Sequence, residues 1–237
     1  MTDALYMNDS YLKEWDAEVL KVTEGKFIVL DKTGFYPKSG GQPCDEGFII
    51  KNREKFKVIY VGKFSGDISH EVDRPGLNEG DIVSCEINWE RRYTFMRSHT
   101  ACHLISNLLY RKANAKITGN QIELDKCRMD FSMEDYSPEK LQAFVDEANE
   151  IIQQDLPVTV DYMTYEDVMK KPELARLAAG LPKDLQEFRI VKIGDIDEQV
   201  DGGTHINHLK EIGRIELIKT VNKGAKNRRM YFIIKRK

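Results

Sequence analysis

The chain changes texture at Asn88–Trp89, and that break limits what it can fold into more than any other feature. Before it, short apolar stretches at residues 18–22, 26–31, 48–52, 55–62, 68–71 and 81–87 are separated by glycine- and proline-bearing turns such as Thr23-Glu24-Gly25, Arg74-Pro75-Gly76 and Asn78-Glu79-Gly80. Short strands at this spacing predict a small β-barrel over residues 1–88. Residues 33–47 carry four glycines and two prolines, so they read as a long structured loop.

After the break the pattern alternates between helix and strand. A helix is expected from residue 89 to about 113, then strands at 116–124 and 127–132. Ser137-Pro138 opens a second helix, with serine at the N-cap and proline at the first helical position. A strand at 158–163, a short helix at 164–169, a helical segment at 172–183 and a strand at 188–193 follow. Residues 213–221 and 229–234 pair as a hairpin. The expected fold is α+β: a small N-terminal β-barrel over 1–88, then an α+β domain with an antiparallel sheet over 89–237.

The first long helix carries His99 and His103, four residues apart and so on one face. Such a pair suits a metal, although a lone pair is more often a solvated feature. Thr100 follows the first histidine where a zinc protease would carry its glutamate base. Far downstream, Asp201-Gly202-Gly203-Thr204-His205 adds a third imidazole and an oxygen donor on a glycine-containing turn. Cys102 is a rival ligand, but it lies about 100° round the helix from His103.

Charge narrows the function less. The net charge of −3 gives no global attraction to nucleic acid, yet residues 219–237 contain eight Lys or Arg and no acid. Lys226, Arg228 and Arg229 lie in that stretch, which reads equally as a phosphate-tracking hairpin or a solvated end. The opening Met1-Thr2-Asp3-Ala4 lacks the pattern of a secretion signal, no run has the apolar length of a membrane span, and the four cysteines are widely spaced. A protein of the reducing cytoplasm is expected.

Taken in order, Phe35-Tyr36-Pro37-Lys38-Ser39-Gly40-Gly41-Gln42, then His99 and His103, then Gly202-Gly203-Thr204-His205 with Glu211-Ile212-Gly213 resemble the alanyl-tRNA editing proteins. These AlaX proteins are freestanding relatives of the editing domain of alanyl-tRNA synthetase. The length and the N-terminal barrel resemble the medium-length class, and Thr118-Gly119-Asn120-Gln121 and Arg128-Met129-Asp130-Phe131 add to the likeness.

The resemblance implies a fold shared with the second editing domain of threonyl-tRNA synthetase. It implies hydrolysis of the ester of mischarged tRNA(Ala), chiefly Ser-tRNA(Ala) and possibly Gly-tRNA(Ala), and one zinc ion held by His99, His103, His205 and a fourth donor. The family pattern places cysteine where this chain has Asp201, so aspartate or a water is the expected fourth donor. Candidate catalytic groups are Gln42, Thr118 and Gln121, with Thr118 and Gln121 as sensors of the serine hydroxyl. Ser39, Gly40, Gly41, Gly202, Gly203 and Thr204, with Lys226, Arg228 and Arg229, are candidate contacts to the tRNA acceptor end. The glycines at 40 and 41 equally suit a tight turn. His70 and His208 read as surface histidines. Two other readings stand beside this one: a seryl-tRNA(Thr) deacylase, and a non-catalytic tRNA-binding protein with structural zinc.

Overall fold

The structure is a computed structural model that describes residues 2–171, 174, 186–224 and 227–235. It divides into two compact units, Met1–Met96 and Arg97–Lys237. The helical segment expected at 172–183 lies outside the described residues except for Leu174, which is buried.

The first unit is a closed barrel. Its strands are β2 (Glu14–Thr23), β3 (Phe27–Leu30), β5 (Gly47–Lys51), β6 (Glu54–Phe64), β7 (Asp67–Val72) and β8 (Ile82–Ile87), joined in the order β2-β3-β7-β6-β5-β8. Two short strands outside the barrel, β1 (Asp3–Ala4) and β4 (Lys32–Thr33), pair in parallel. Alternation sets the inward face: Trp15, Ala17 and Val19 on β2 and Val83, Cys85 and Ile87 on β8 are buried, and their neighbours face out.

His70 obeys the same alternation. It sits between Ile68 and Val72 on the buried face of β7 and is fully buried, which corrects its reading as a surface histidine. Its Nδ1–H donates to the Ile28 carbonyl at 2.9 Å, and the Thr33 hydroxyl donates to its Nε2 at 2.8 Å. The Thr33 oxygen in turn accepts the Phe35 N–H at 3.1 Å. Every polar atom of the ring is satisfied in the neutral form, which is what burial demands.

The loop at 33–47 is held by a buried ion pair. Arg92 and Asp45 are both buried, and the guanidinium donates to the carboxylate and to the carbonyls of Gly34 and Ser10. Asp45 also accepts the Tyr36 N–H at 2.6 Å. At the tip, Ser39 and Gln42 exchange backbone hydrogen bonds of 3.2 and 2.8 Å around Gly40 (φ 54°) and Gly41 (φ 82°). Two central residues with positive φ make a type I′ turn, the geometry for which paired glycines are suited.

Helix α1 (Trp89–Ala113) begins in the first unit and ends in the second. The second unit adds β9 (Lys116–Ile122), β10 (Cys127–Ser132), α2 (Pro138–Gln153), β11 (Val158–Thr164), α3 (Tyr165–Met169), β12 (Glu187–Ile193), β13 (Asp197–Val200), β14 (Arg214–Asn222) and β15 (Arg228–Lys235). They form two antiparallel sheets, β14-β15-β10-β9 and β11-β12-β13. The Ser137 side chain caps α2 by accepting the Lys140 N–H, as expected of its N-cap. Strand β13 was not expected: Asp197-Glu198-Gln199-Val200 has no apolar alternation, and its pairing is supplied by the edge of β12.

From Phe95 to Ile105 every residue of α1 is buried. That stretch includes Arg97, Ser98, His99, Thr100 and His103, so this helix turn brings several polar groups into the interior and each needs a partner. Arg97 finds one in the Ile212 carbonyl at 3.1 Å. The histidines pack ring against ring beside the turn after β13.

Candidate metal centre

His99, His103, Asp201 and His205 offer one donor atom each within 4.8 Å of one another. His99 Nε2 lies 3.6 Å and His103 Nε2 3.8 Å from Asp201 Oδ1, and His205 Nε2 lies 3.0 Å from Oδ2. Donors at the corners of a tetrahedron around zinc, with bonds of about 2.0–2.2 Å, stand roughly 3.3–3.6 Å apart. The Asp201–histidine spacings lie around that range, and the three imidazoles and the carboxylate could hold a metal ion. Asp201 is in direct hydrogen-bond contact with His205 and faces the other two nitrogens. The histidine pair comes from the buried turn of α1; Asp201 and His205 come from the loop that follows β13.

That loop is pinned from three sides. The Asp201 Oδ2 accepts the Gly203 N–H at 2.6 Å, closing a tight turn. Buried Arg189, on β12, donates from Nη1 to the carbonyls of Asp201 and Gly203, both at 2.9 Å. On the helix side, Thr100 Oγ1 lies 3.0 Å from His205 Nδ1. With Thr100 accepting the Nδ1–H, the Nε2 lone pair of His205 points into the cluster. The sequence assigns no site role to Thr100 or Arg189; the contacts join positions 105 and 12–14 residues apart through tertiary approach.

The electrostatics of the cluster follow from burial and charge. Burial pushes His99 down to about 4. Burial, aided by His99, holds His205 well below its ordinary value. Burial alone would lower His103 too, but Asp197 and Asp201 outweigh it and raise it to about 9. Asp201 is held well below the usual carboxylate range by the imidazoles, against the opposing effect of its own burial. The group therefore presents two neutral imidazoles and one carboxylate, while His103, held protonated by its two carboxylate neighbours, must release a proton before its ring can serve as a ligand. Cys102 takes no part: it is buried against Cys127, and that contact together with burial raises its pKa well above its ordinary value.

Sequence comparison places the chain. Residues 188–231 match the family described as threonyl and alanyl tRNA synthetase second additional domain, and residues 6–91 match class II (A) tRNA synthetases. The chain is 45% identical over 241 residues to an alanyl-tRNA editing protein AlaX-M of Methanosarcina barkeri, covering 99% of each. It is 46% identical to an AlaX-M protein of Methanosarcina mazei, covering 98% of this chain and 96% of that one. It also matches 24% of the alanine–tRNA ligase of Pyrococcus abyssi, at 37% identity over 92% of this chain. The chain belongs to the AlaX-M family of alanyl-tRNA editing proteins.

In this AlaX-M member the other candidate residues fall in different places. Ser39, Gly40 and Gly41 are exposed at the I′ turn of the first unit, and Gln42 beside them is buried. Thr118 and Gln121 are exposed on edge strand β9, outside the buried cluster, and the Gln121 amide donates to Glu123 at 2.8 Å. Gly202 is exposed with open space where a side chain would go; Gly203 and Thr204 are buried in the turn. Arg228 and Arg229 are committed within the four-stranded sheet. Arg228 is buried, donating to the Met133 carbonyl at 3.1 Å and to Asn222, and Arg229 grips the Asp130 carboxylate with two nitrogens. Lys226 lies outside the described residues. His208 is exposed, as expected. Among the described residues no helix is long and apolar enough to cross a membrane.

Proposed function

We propose that this AlaX-M protein hydrolyses the ester of mischarged tRNA(Ala), chiefly Ser-tRNA(Ala) and secondarily Gly-tRNA(Ala), using one zinc ion held by His99, His103, His205 and Asp201. The observation that carries this is the four-donor cluster, in a chain that belongs to a family of alanyl-tRNA editing proteins. In the reaction water adds to the aminoacyl carbonyl and the bond to the terminal ribose oxygen breaks. Free amino acid and uncharged tRNA are released.

Bound zinc supplies Lewis acidity and a fixed positive charge to such a site. The protein's own groups supply the rest. Thr100 and Arg189 orient the third imidazole and the aspartate loop, and burial of the cluster excludes bulk water. Four protein donors close an ion, whereas catalytic zinc keeps a corner open, so the donor set favours an orienting role for the metal over activation of water. That same closure supports a second reading, a tRNA-binding protein with structural zinc.

The metal-bearing domain, which follows the barrel at about residue 88, is proposed to take the acceptor end of the tRNA. Gln42, Thr118 and Gln121 are proposed as polar contacts to the aminoacyl end. Because Thr118 and Gln121 are exposed in the free protein, their sensing of a serine hydroxyl requires the bound substrate to cover them. For the phosphates, Arg228 and Arg229 are already engaged in the sheet. Exposed Lys219 and Lys223, with Lys226, are the better proposal on the same hairpin.

Deacylation of Ser-, Gly- and Ala-tRNA(Ala) and of Ser-tRNA(Thr), with and without chelator and with metal analysis of the protein, tests the reading. Release of serine from tRNA(Ala) that falls with the metal content supports it. Protection of the ester would establish the binding protein instead, and preference for Ser-tRNA(Thr) would move the substrate.

A further inference from the structure

One buried polar atom beside the cluster has no hydrogen bond: Nδ1 of His103. The ring is buried, and an unpaired buried donor is costly. The group facing this nitrogen is a carboxylate. Asp197 Oδ2, itself buried, stands 3.7 Å from His103 Nδ1. That is about 0.5 Å beyond the outer limit of an N–H···O hydrogen bond.

Asp197 is held there by neutral amides. Asn107 donates to its Oδ1 at 2.8 Å and to the Ile196 carbonyl at 3.0 Å, and Gln199 donates to its Oδ2 at 2.8 Å. Asn107 lies four residues beyond His103 on α1, on the same face. Gln199 also reaches Ser106, whose hydroxyl donates to the His103 carbonyl. The network fixes the carboxylate without neutralising it and leaves its remaining lone pairs to the imidazole. The asymmetry within the cluster is informative: beyond its ring His205 has a hydroxyl, and His103 has a carboxylate.

Resting on the metal-site reading above, we propose that Asp197 is the positioning carboxylate of this centre. It accepts the Nδ1–H of His103 and holds the Nε2 lone pair toward the metal. Asn107 and Gln199 set the carboxylate in turn. Such outer carboxylates are worth about 10- to 100-fold in metal affinity. Nothing in the residue spacing marks Asp197, because it stands on a short polar strand and its role exists only through the approach of β13 to α1.

The test uses the full chain and the metal alone. Zinc affinity is measured by competition with a chromophoric chelator for wild type, Asp197→Ala, Asp197→Asn and Gln199→Ala, with circular dichroism to establish folding. Cobalt substitution reports the ligand field, and proton NMR of the zinc-loaded protein reports the His103 Nδ1–H as a slowly exchanging downfield resonance. Asp197→Ala is expected to lose about 10- to 100-fold in affinity and to lose that resonance, with the cobalt spectrum altered. Asp197→Asn, which keeps an oxygen acceptor without the charge, falls between, and Gln199→Ala weakens binding less than either. Folded Asp197 variants that bind zinc within twofold of wild type and keep the downfield proton overturn the proposal and leave the metal site standing. If Asp197→Ala fails to fold, Asp197→Asn and Gln199→Ala decide by the same two readouts. Wild type that binds no zinc overturns both the site and this inference.

Discussion

A Cβ placed on Gly203 would collide with Cε1 and Nδ1 of the His99 ring and would lie 2.9 Å from Asp201 Oδ2. The loop and the helix therefore touch at the one residue type that leaves room for a ligand ring. Its neighbour Gly202 has no atom within 4 Å of the same construction. Gly203→Ala is expected to displace His99 or the Asp201 carboxylate and to reduce zinc affinity by at least about tenfold. Gly202→Ala is expected to bind zinc like wild type. Equal affinities for the two variants, measured side by side, would remove the contact from the account.

Arg189 holds two carbonyls of the same loop with one nitrogen. Arg189→Met keeps much of the apolar volume and removes the donor, leaving two acceptors of a buried turn without it. Each orphaned group costs about 1–3 kcal/mol, so a loss of roughly 2–6 kcal/mol is expected in urea unfolding, with weaker zinc binding in the same variant. Arg189→Lys restores a single point donor and should recover only part of both. A methionine variant with wild-type stability and affinity would show that the loop holds its shape by other means.

The buried pair Arg92–Asp45 ties the glycine-bearing loop to the start of α1. Removing one partner strands a charge in the interior, which costs about 3–5 kcal/mol. Asp45→Asn and Arg92→Met are each expected to fall in that range. The double variant should be less destabilised than the sum, because neither charge is then left alone. Additive losses in thermal unfolding would mean that the two act independently.

How far the sequence foretold this structure depends on what kind of relation was being read. Each half of the group, the His99–His103 pair and the Asp201–His205 turn, is legible because helical spacing and a glycine turn are local properties, and the family resemblance joins the two halves. The barrel strands and the cap at Ser137 were legible for the same reason. Thr100, Arg189 and Asp197 were not, since each acquires its role from an element distant in the chain. Arg228 and Arg229 read as free charges but pair within the sheet, a fact set by the register of β15 against β10. His70 is the instructive miss. The alternation Ile68, His70, Val72 already pointed it inward, and only its residue type argued for the surface.

That buried histidine makes the barrel's stability depend on pH. Burial lowers His70 to about 4, opposed in part by its bond to the Ile28 carbonyl, and the Thr33 hydroxyl is committed to donating to its neutral Nε2. In the unfolded chain the imidazole titrates near its ordinary 6.5. Between these values the unfolded state binds the extra proton, so His70 contributes stability that is fully present above about pH 6.5 and is lost as the pH falls toward 4. The full difference is about 3 kcal/mol, of which roughly 2 kcal/mol is gone by pH 5. Urea unfolding of wild type and His70→Gln at several pH values between 7.5 and 4.5 isolates this contribution from the carboxylates, which titrate in both proteins. The variant should start less stable and show a shallower decline on acidification, with the two curves converging toward pH 4.5. Parallel curves across that window would mean that His70 carries the same proton in the folded and unfolded chains.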